Sequence, residues 1–145
     1  RRSGSRRGIG TTVRNFYFAL AALLVAATTP ASMAEDTAVS FKDDIQPLLN
    51  AQCVFCHVTG AENGGLNVGR RQSHAALLAP STVSELPRVT PGDPEKSYLI
   101  HKLRGTQLKV GGSGSRMPMT DPPRPMDAAQ LELFERWIAQ GAKNN

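Results

Sequence analysis

The chain has 145 residues, of which 40% are hydrophobic and 20% charged, so it is long enough for one folded domain and short for two. Its formal net charge of +5 comes from the leader: five arginines and no acidic residue precede residue 35, and 12 basic and 12 acidic residues follow. A domain of balanced charge lacks the basic surface that binds nucleic acid, which excludes a nucleic-acid partner.

Residues 1–34 have the layout of a secretory signal peptide. A basic start precedes the apolar run FYFALAALLVAA at 16–27, and the small residues Ser32 and Ala34 mark a cleavage site. The run is shorter than the roughly 20 apolar residues that span a bilayer. We therefore expect residues 1–34 to be removed and residues 35–145 to form a periplasmic domain. Retention of the leader as a membrane anchor is the alternative.

The mature chain predicts a first helix that leads directly into the string CVFCH. Ser40 can cap this helix, with Asp43 at its third position. Apolar residues recur along it at helical spacing, namely Phe41, Ile45, Leu48 and Leu49. The stretch TGAENGGLNVG that follows CVFCH is too rich in Gly and Asn for a regular element, so it predicts a loop.

Further helices are predicted downstream. Residues 71–79 predict a short helix, and Asp93 followed by Pro94 predicts the start of a helix that runs to about Leu103. The next stretch, KVGGSGSRMPMTDPPRPM, is a long loop rich in Pro and Gly.

The last helix has both a start signal and a stop signal. Asp127 is its cap, Gln130 is placed for a capping box, and Gly141 is its stop. No segment predicts a strand, so we expect an all-α domain of three or four short helices joined by long loops. Loops of this length need something to pack against, and a bound cofactor would provide it.

The string CVFCH is the attachment signature of c-type haem. Cys53 and Cys56 are spaced to form thioether bonds with the two vinyl groups of one haem, and His57 is placed to bind its iron. Covalent attachment keeps haem in a small domain that has little core. We therefore predict one covalent haem c, with its iron, held by these three residues.

Other interpretations of the two cysteines agree less well with the rest of the sequence. A disulfide oxidoreductase places CxxC after a strand, and no strand is predicted before Cys53. A zinc site could add His74 and His101 to the cysteines, but zinc signatures repeat a pair of ligands, and these histidines are 27 residues apart. An iron–sulfur cluster takes four cysteines, and the sequence has two.

The sixth iron ligand determines what a haem does. A methionine on the far side leaves no open position, which suits electron transfer. Met117 and Met119 lie in the long loop before the last helix, and Met126 lies at its edge. We choose Met117, because the proline after it restricts it to an extended conformation, and keep Met119 as the alternative. His74 and His101 are the competitors for a bis-histidine iron.

Six strings occur in order between Phe41 and Ala142, namely FKDDIQPLL, CVFCH, GGLNV, VTPGDPEKSYL, RMP and LELFERWIAQGA. Together they resemble the class I cytochrome c family, and more narrowly the small cytochrome domain typical of planctomycete proteins. The resemblance implies a class I cytochrome c-like fold wrapped round one haem, with Met117 of the RMP string as the distal ligand. The family usually has MPP where this chain has MPM, which keeps Met119 open.

The resemblance also implies which segments surround the haem. The GGL segment, Gly64, Gly65 and Leu66, would lie close to it, with the glycines leaving room for the approach of the backbone. The first and last helices would cross nearby. The residues assigned to that crossing are Phe41, Ile45, Phe134 and Trp137.

From these observations we expect an electron carrier rather than an enzyme: a monohaem c-type cytochrome that docks transiently with redox partner proteins in the periplasm. The alternative is a haem enzyme subunit, or a gas- or peroxide-responsive haem protein, with an open or displaceable sixth position. Peroxide chemistry would need a distal acid–base group, for which His74 and His101 are the candidates at neutral pH.

Overall fold

A computed structural model describes residues 37–62, 64–69 and 71–145. It contains four α-helices: α1 (Gln46–Gln52), α2 (Ser73–Leu78), α3 (Tyr98–Arg104) and α4 (Ala128–Ala139). A π-helical turn at Phe41–Ile45 precedes α1, and two 3-10 turns flank α3, at Pro94–Lys96 and Gln107–Val110. These ranges contain no strand, which confirms the all-α class, and none of their helices is long and apolar enough to cross a bilayer. The predicted leader lies outside the described residues.

The first helical segment begins at the predicted cap. The Ser40 hydroxyl oxygen accepts a hydrogen bond from the Asp43 N–H at 3.1 Å. In a capping box a carboxylate of the first turn accepts from the N–H of the cap residue. Here the Ser40 N–H donates to Asp44 Oδ2 at 2.7 Å, so Asp44 takes this role rather than Asp43. The π-helical turn then leads into α1, and the segment buries Phe41 and Ile45 against the rest of the core.

The helix predicted from Pro94 to about Leu103 is interrupted, which corrects that prediction. Asp93 caps only a three-residue 3-10 turn, and Ser97 is extended, with φ −103° and ψ 111°, before α3 begins. Ser97 is fully buried, its hydroxyl donates to the Asp93 carbonyl at 2.8 Å, and it accepts from the Thr90 N–H at 2.8 Å. The side chain thus bonds to loop backbone in a conformation that a continuous helix could not keep.

Helix α4 lies between its predicted start and stop. Asp127 Oδ1 accepts from the N–H groups of Ala129 and Gln130 at 3.0 and 3.3 Å. The Gln130 side chain is engaged elsewhere: its Oε1 accepts from Gln52 Nε2 at 2.8 Å, which ties α4 to α1. Gly141, with φ +97°, follows the helix end in the left-handed conformation expected of its stop signal.

The core is shared by the first segment, α2, α3 and α4. Its largest fully buried apolar side chains are Trp137, Phe134, Ile45, Leu49, Leu77 and Ile100. The rings of Phe41 and Trp137 are 5.3 Å apart between centroids, so the first and last helical segments pack against each other. Met126 is also a core residue, 6% exposed, which agrees with the use of methionine to fill gaps between other side chains.

Asn145 binds the beginning of the first helical segment. Its backbone carbonyl accepts from the Lys42 N–H at 2.9 Å and from the Ser40 hydroxyl at 3.1 Å. Its side-chain Oδ1 accepts from the Phe41 N–H at 2.9 Å. The first N–H groups of a helix have no acceptor within the helix, so Asn145 supplies acceptors that the segment itself lacks.

Candidate functional site

A cavity of about 510 Å³ lies beside the CVFCH turn, between the GGL loop, α3 and the loop before α4. Its volume falls within the roughly 300–1,000 Å³ typical of cofactor sites. Five residues singled out in the sequence line it: His57, Gly64, Leu66, Met117 and Met119. Most of the lining surface of the whole cavity is apolar, and Leu77, Val83 and Leu99 contribute to it. The fold thus brings most of the predicted site residues to one place.

The CVFCH residues form a helical turn directly after α1. The Cys53 N–H donates to the Leu49 carbonyl at 2.9 Å, and the His57 N–H donates to the Cys53 carbonyl at 3.0 Å. The Val54 N–H also donates to the Leu49 carbonyl at 2.9 Å, and Cys53 has φ −122°, so the chain departs from a regular α-helix after Gln52. The His57 carbonyl accepts from the Val68 N–H at 2.9 Å, which joins the turn to the end of the GGL loop.

The two cysteines flank the cavity rather than line it. Cys53 is partly buried and packs against the core, Cys56 is exposed, and no disulfide joins them. Burial, and to a lesser degree the neighbouring Cys56, raise the pKa of the Cys53 thiol from 9.0 to about 11. The Cys53 thiol is therefore protonated at neutral pH.

His57 presents a neutral ring to the cavity. Burial lowers the pKa of this imidazole most strongly; the Lys102 ammonium acts in the same direction, and the Glu62 carboxylate opposes both. Its Nδ1 is buried and has no hydrogen-bond partner in the described part of the chain. Neutral imidazole is the form that binds metal ions, and a buried ring nitrogen without a partner is costly. The His57 ring is therefore in the protonation state that metal binding requires.

The two candidate methionines differ in how they are held. Met117 is half-buried, packs against the core, and donates its backbone N–H to the Lys102 carbonyl at the end of α3 at 2.8 Å. Met119 also lines the cavity, but it is 70% exposed. The Met117–Pro118 peptide bond is cis. Of the two residues, Met117 is the one whose backbone bonds to a helix and whose side chain packs against the core.

The GGL loop has a left-handed backbone at both glycines. Gly64 and Gly65 have φ of +84° and +59°, and a side chain at Gly64 would meet no protein atom within 4 Å. The loop thus needs glycine at Gly64 for its left-handed backbone. Gly64 and Leu66 line the cavity, whereas Gly65 does not. The carbonyls of both glycines accept from Arg88 Nη2, at 2.7 and 3.0 Å.

The remaining histidines lie away from the cavity. His74 Nε2 is 2.8 Å from the Ala142 carbonyl, and its ring makes an edge contact with Phe41. His101 is 8% exposed, with Nδ1 2.9 Å from the Thr106 hydroxyl and Nε2 2.9 Å from the Glu95 carbonyl. Neither lines the cavity, and the described residues contain no cluster of three or more His, Cys, Asp or Glu that could hold a metal ion.

Three titratable residues of the cavity were not predicted from the sequence: Arg88, Tyr98 and Lys102. Tyr98 and Lys102 are four residues apart and so share one face of α3, a spacing that the sequence does contain. Arg88 has no such signal, because it lies in a loop and its hydrogen-bond partners are 12 to 24 residues away.

Comparisons of the chain with protein-family models, with curated proteins and with solved structures gave no match. The chemistry of the cavity is therefore inferred from its own residues.

Proposed function

We propose that this chain is a c-type cytochrome with one haem, and that it carries single electrons between redox partner proteins in the periplasm. The observation that carries the proposal is that His57 and Met117 line the same cavity, although one comes from the turn after α1 and the other from the loop before α4. His57 belongs to a CxxCH string, and Met117 is the partly buried methionine among its cavity neighbours.

The residues of the cavity fit a haem. The volume is that of a cofactor site, and the largely apolar wall suits a flat macrocycle. His57 lines this space, and the Cys53 carbonyl accepts from the His57 N–H at 3.0 Å, which places the two residues in one turn. Four short helices whose long loops surround one such cavity are compatible with a class I cytochrome c fold.

Each residue has a distinct task in this proposal. Cys53 and Cys56 would hold the cofactor covalently, and His57 and Met117 would bind its iron. Haem supplies a one-electron Fe(III)/Fe(II) couple when it is bound. Thioether ligation by Met117 favours the reduced state, and the apolar side chains of Leu66 and Leu99 exclude water, which acts in the same direction.

The composition of the cavity favours an electron carrier over a peroxide enzyme. Among the described residues that line it, there is no Asp or Glu and no histidine besides His57. His74 and His101, the acid–base candidates of the alternative, bond to backbone and hydroxyl groups elsewhere. A carrier needs no acid–base group beside its iron, because only an electron moves.

The test is a visible spectrum of the chain produced together with haem-maturation machinery. We expect haem to remain with the protein after acid–acetone extraction, because thioether bonds survive it. We expect ferric protein to show the weak red-edge band that marks thioether sulfur on iron, and this band should vanish in Met117→Ala. The matched control is Met119→Ala, which removes an exposed methionine of the same cavity and should keep the band.

Other outcomes would change the conclusion in specific ways. Loss of the band in Met119→Ala alone would transfer the distal role to Met119. A wild-type iron that is high-spin and binds carbon monoxide when reduced would favour the enzyme or sensor function. A protein that carries no haem at all would overturn the proposal.

A further inference from the structure

We propose that Arg88 binds a carboxylate of the cofactor in this cavity. The inference rests on the proposed function and adds a recognition group to it: haem carries two carboxylate side chains besides its iron. In this cavity the positive groups have no negative partner.

Arg88 is a buried cation without an acidic partner. It lines the cavity and is only 8% exposed, and no Asp or Glu of the described residues forms an ion pair with it. Burial lowers the pKa of its guanidinium, yet an arginine stays charged in proteins. Buried charges are normally paired or neutralised, so this one is suited to an anion from outside the protein.

The guanidinium also has unused hydrogen-bond donors. Nη2 donates to the carbonyls of Gly64 and Gly65, and Nη1 donates to the Ala76 carbonyl at 3.2 Å. All three acceptors are neutral, so they orient the group without cancelling its charge. A guanidinium has five N–H donors, so Nε–H and one N–H of Nη1 remain, and either can donate to a carboxylate oxygen.

None of the other titratable groups that line the cavity is a carboxylate that could pair with Arg88. They are His57, Tyr98 and Lys102, and the described lining contains no carboxylate. The Lys102 ammonium is partly exposed and donates to the carbonyls of Ser113 and Ser115. The cavity therefore holds an excess of positive charge, which fits a ligand with carboxylates and penalises a neutral one.

A purely structural role for Arg88 makes a different prediction. If the residue only braces the GGL loop against α2, its replacement would alter stability but not the ionisation of the cofactor. A charge that faces a haem carboxylate keeps that carboxylate ionised and also favours Fe(II) over Fe(III), so the reduction potential reports it.

The experiment measures the reduction potential of the haem-loaded protein from about pH 4 to 8, the range in which an unpaired carboxyl titrates. In wild-type protein we expect only the carboxylate that Arg88 does not bind to change the potential with pH. Arg88→Gln should have a lower potential at pH 7, together with a potential that falls as pH rises through the released carboxyl's pKa. The matched control is Arg71→Gln, which removes an exposed arginine that does not line the cavity.

A measurement on wild-type protein does not depend on how well a variant folds. With haem labelled with carbon-13 at its carboxylates, nuclear magnetic resonance of the reduced protein should show one carboxylate ionised to below about pH 4. If both carboxylates titrate in the ordinary range, or if Arg88→Gln and Arg71→Gln have the same potential profile, the inference is wrong while the proposed function stands. Failure of the wild-type chain to bind haem would instead overturn the proposed function and this inference with it.

Discussion

Glu62 is an exposed carboxylate that its own loop holds in the ionised form. Hydrogen bonds from its own backbone N–H and from the Thr59 hydroxyl, the latter at 2.8 Å, lower the pKa of Glu62 from 4.5 to about 2. The Gly60 N–H donates to Glu62 Oε2 at 2.8 Å and adds to the effect. Because the pKa is lower in the folded chain, this carboxylate stabilises the fold above pH 4.5, and the contribution is lost as pH falls to about 2.

Replacement of Glu62 should therefore change the acid sensitivity of the protein. We expect Glu62→Gln to unfold at lower urea concentration than wild type at pH 7, and to lose less stability than wild type between pH 4.5 and pH 3. Urea denaturation at pH 7, 4.5 and 3 measures both effects. Glu132→Gln, at an exposed glutamate of α4, is the control. Equal losses of stability in wild type and Glu62→Gln would contradict the conclusion that the folded chain lowers the pKa of Glu62.

Residue roles could be predicted where they depend on near neighbours in sequence. Ser40 and Asp127 cap helices through N–H groups two or three residues away, and Gly141 ends α4 by its own backbone conformation. Arg88 could not be found in this way, because its position is set by carbonyls of Gly64 and Ala76, which the fold brings to it. Likewise, the MPM string does not distinguish Met117 from Met119 without their burial.

At the scale of elements, α4 is the helix whose limits the sequence predicted best. Its buried face carries Phe134, Trp137 and Ile138, so the stability of its first turn affects the whole core. The turn relies on Asp127, whose carboxylate accepts two backbone N–H groups and also lies at the positive end of the helix dipole.

We expect Asp127→Ala to destabilise the protein by about 1 kcal/mol, the usual cost of a lost N-cap. Asp127→Asn keeps a capping oxygen and should recover most of this loss. Midpoints of urea denaturation for the two variants and wild type measure the difference. Equal stability of Asp127→Ala and wild type would show that water or another group satisfies the first turn of α4.

The interruption at Ser97 shows why other element limits could not be predicted. Asp93 and Pro94 are a strong start signal, and nothing in the next ten residues opposes a helix. The break arises because the first N–H groups of α3 bond outside the helix: those of Tyr98 and Leu99 donate to the carbonyls of Pro87 and Arg88, both at 2.9 Å. Such bonds between a loop and a helix leave no periodic pattern in the sequence.

At the scale of the whole molecule, Asn145 connects segments that are more than 100 residues apart in sequence. Its Oδ1 accepts from the Phe41 N–H across 104 positions, and its carbonyl accepts from the Lys42 N–H. Phe41 in turn packs on Trp137, so the same contact region includes the beginning of the first helical segment and the end of α4. These bonds fix the first segment at the edge of the core.

We expect Asn145→Ala to reduce stability by about 1 kcal/mol, the net contribution of a typical hydrogen bond. Hydrogen exchange should localise the effect, with faster exchange at the Phe41 amide and its neighbours than in α3. Asn144→Ala, at the adjacent exposed residue, is the control and should leave exchange unchanged. Uniform acceleration across the protein would mean that Asn145 does not act locally.

The burial of Cys53 has a consequence for the order of events during biogenesis. With a pKa of about 11, only on the order of one molecule in 10⁴ carries the reactive thiolate at neutral pH, and the core limits access to it. A thiol in this state is a poor partner for covalent attachment of a haem. If the proposed function is correct, the bond at Cys53 has to form before the chain completes its folding, and the late packing of α1 against the core then protects a product that is already made.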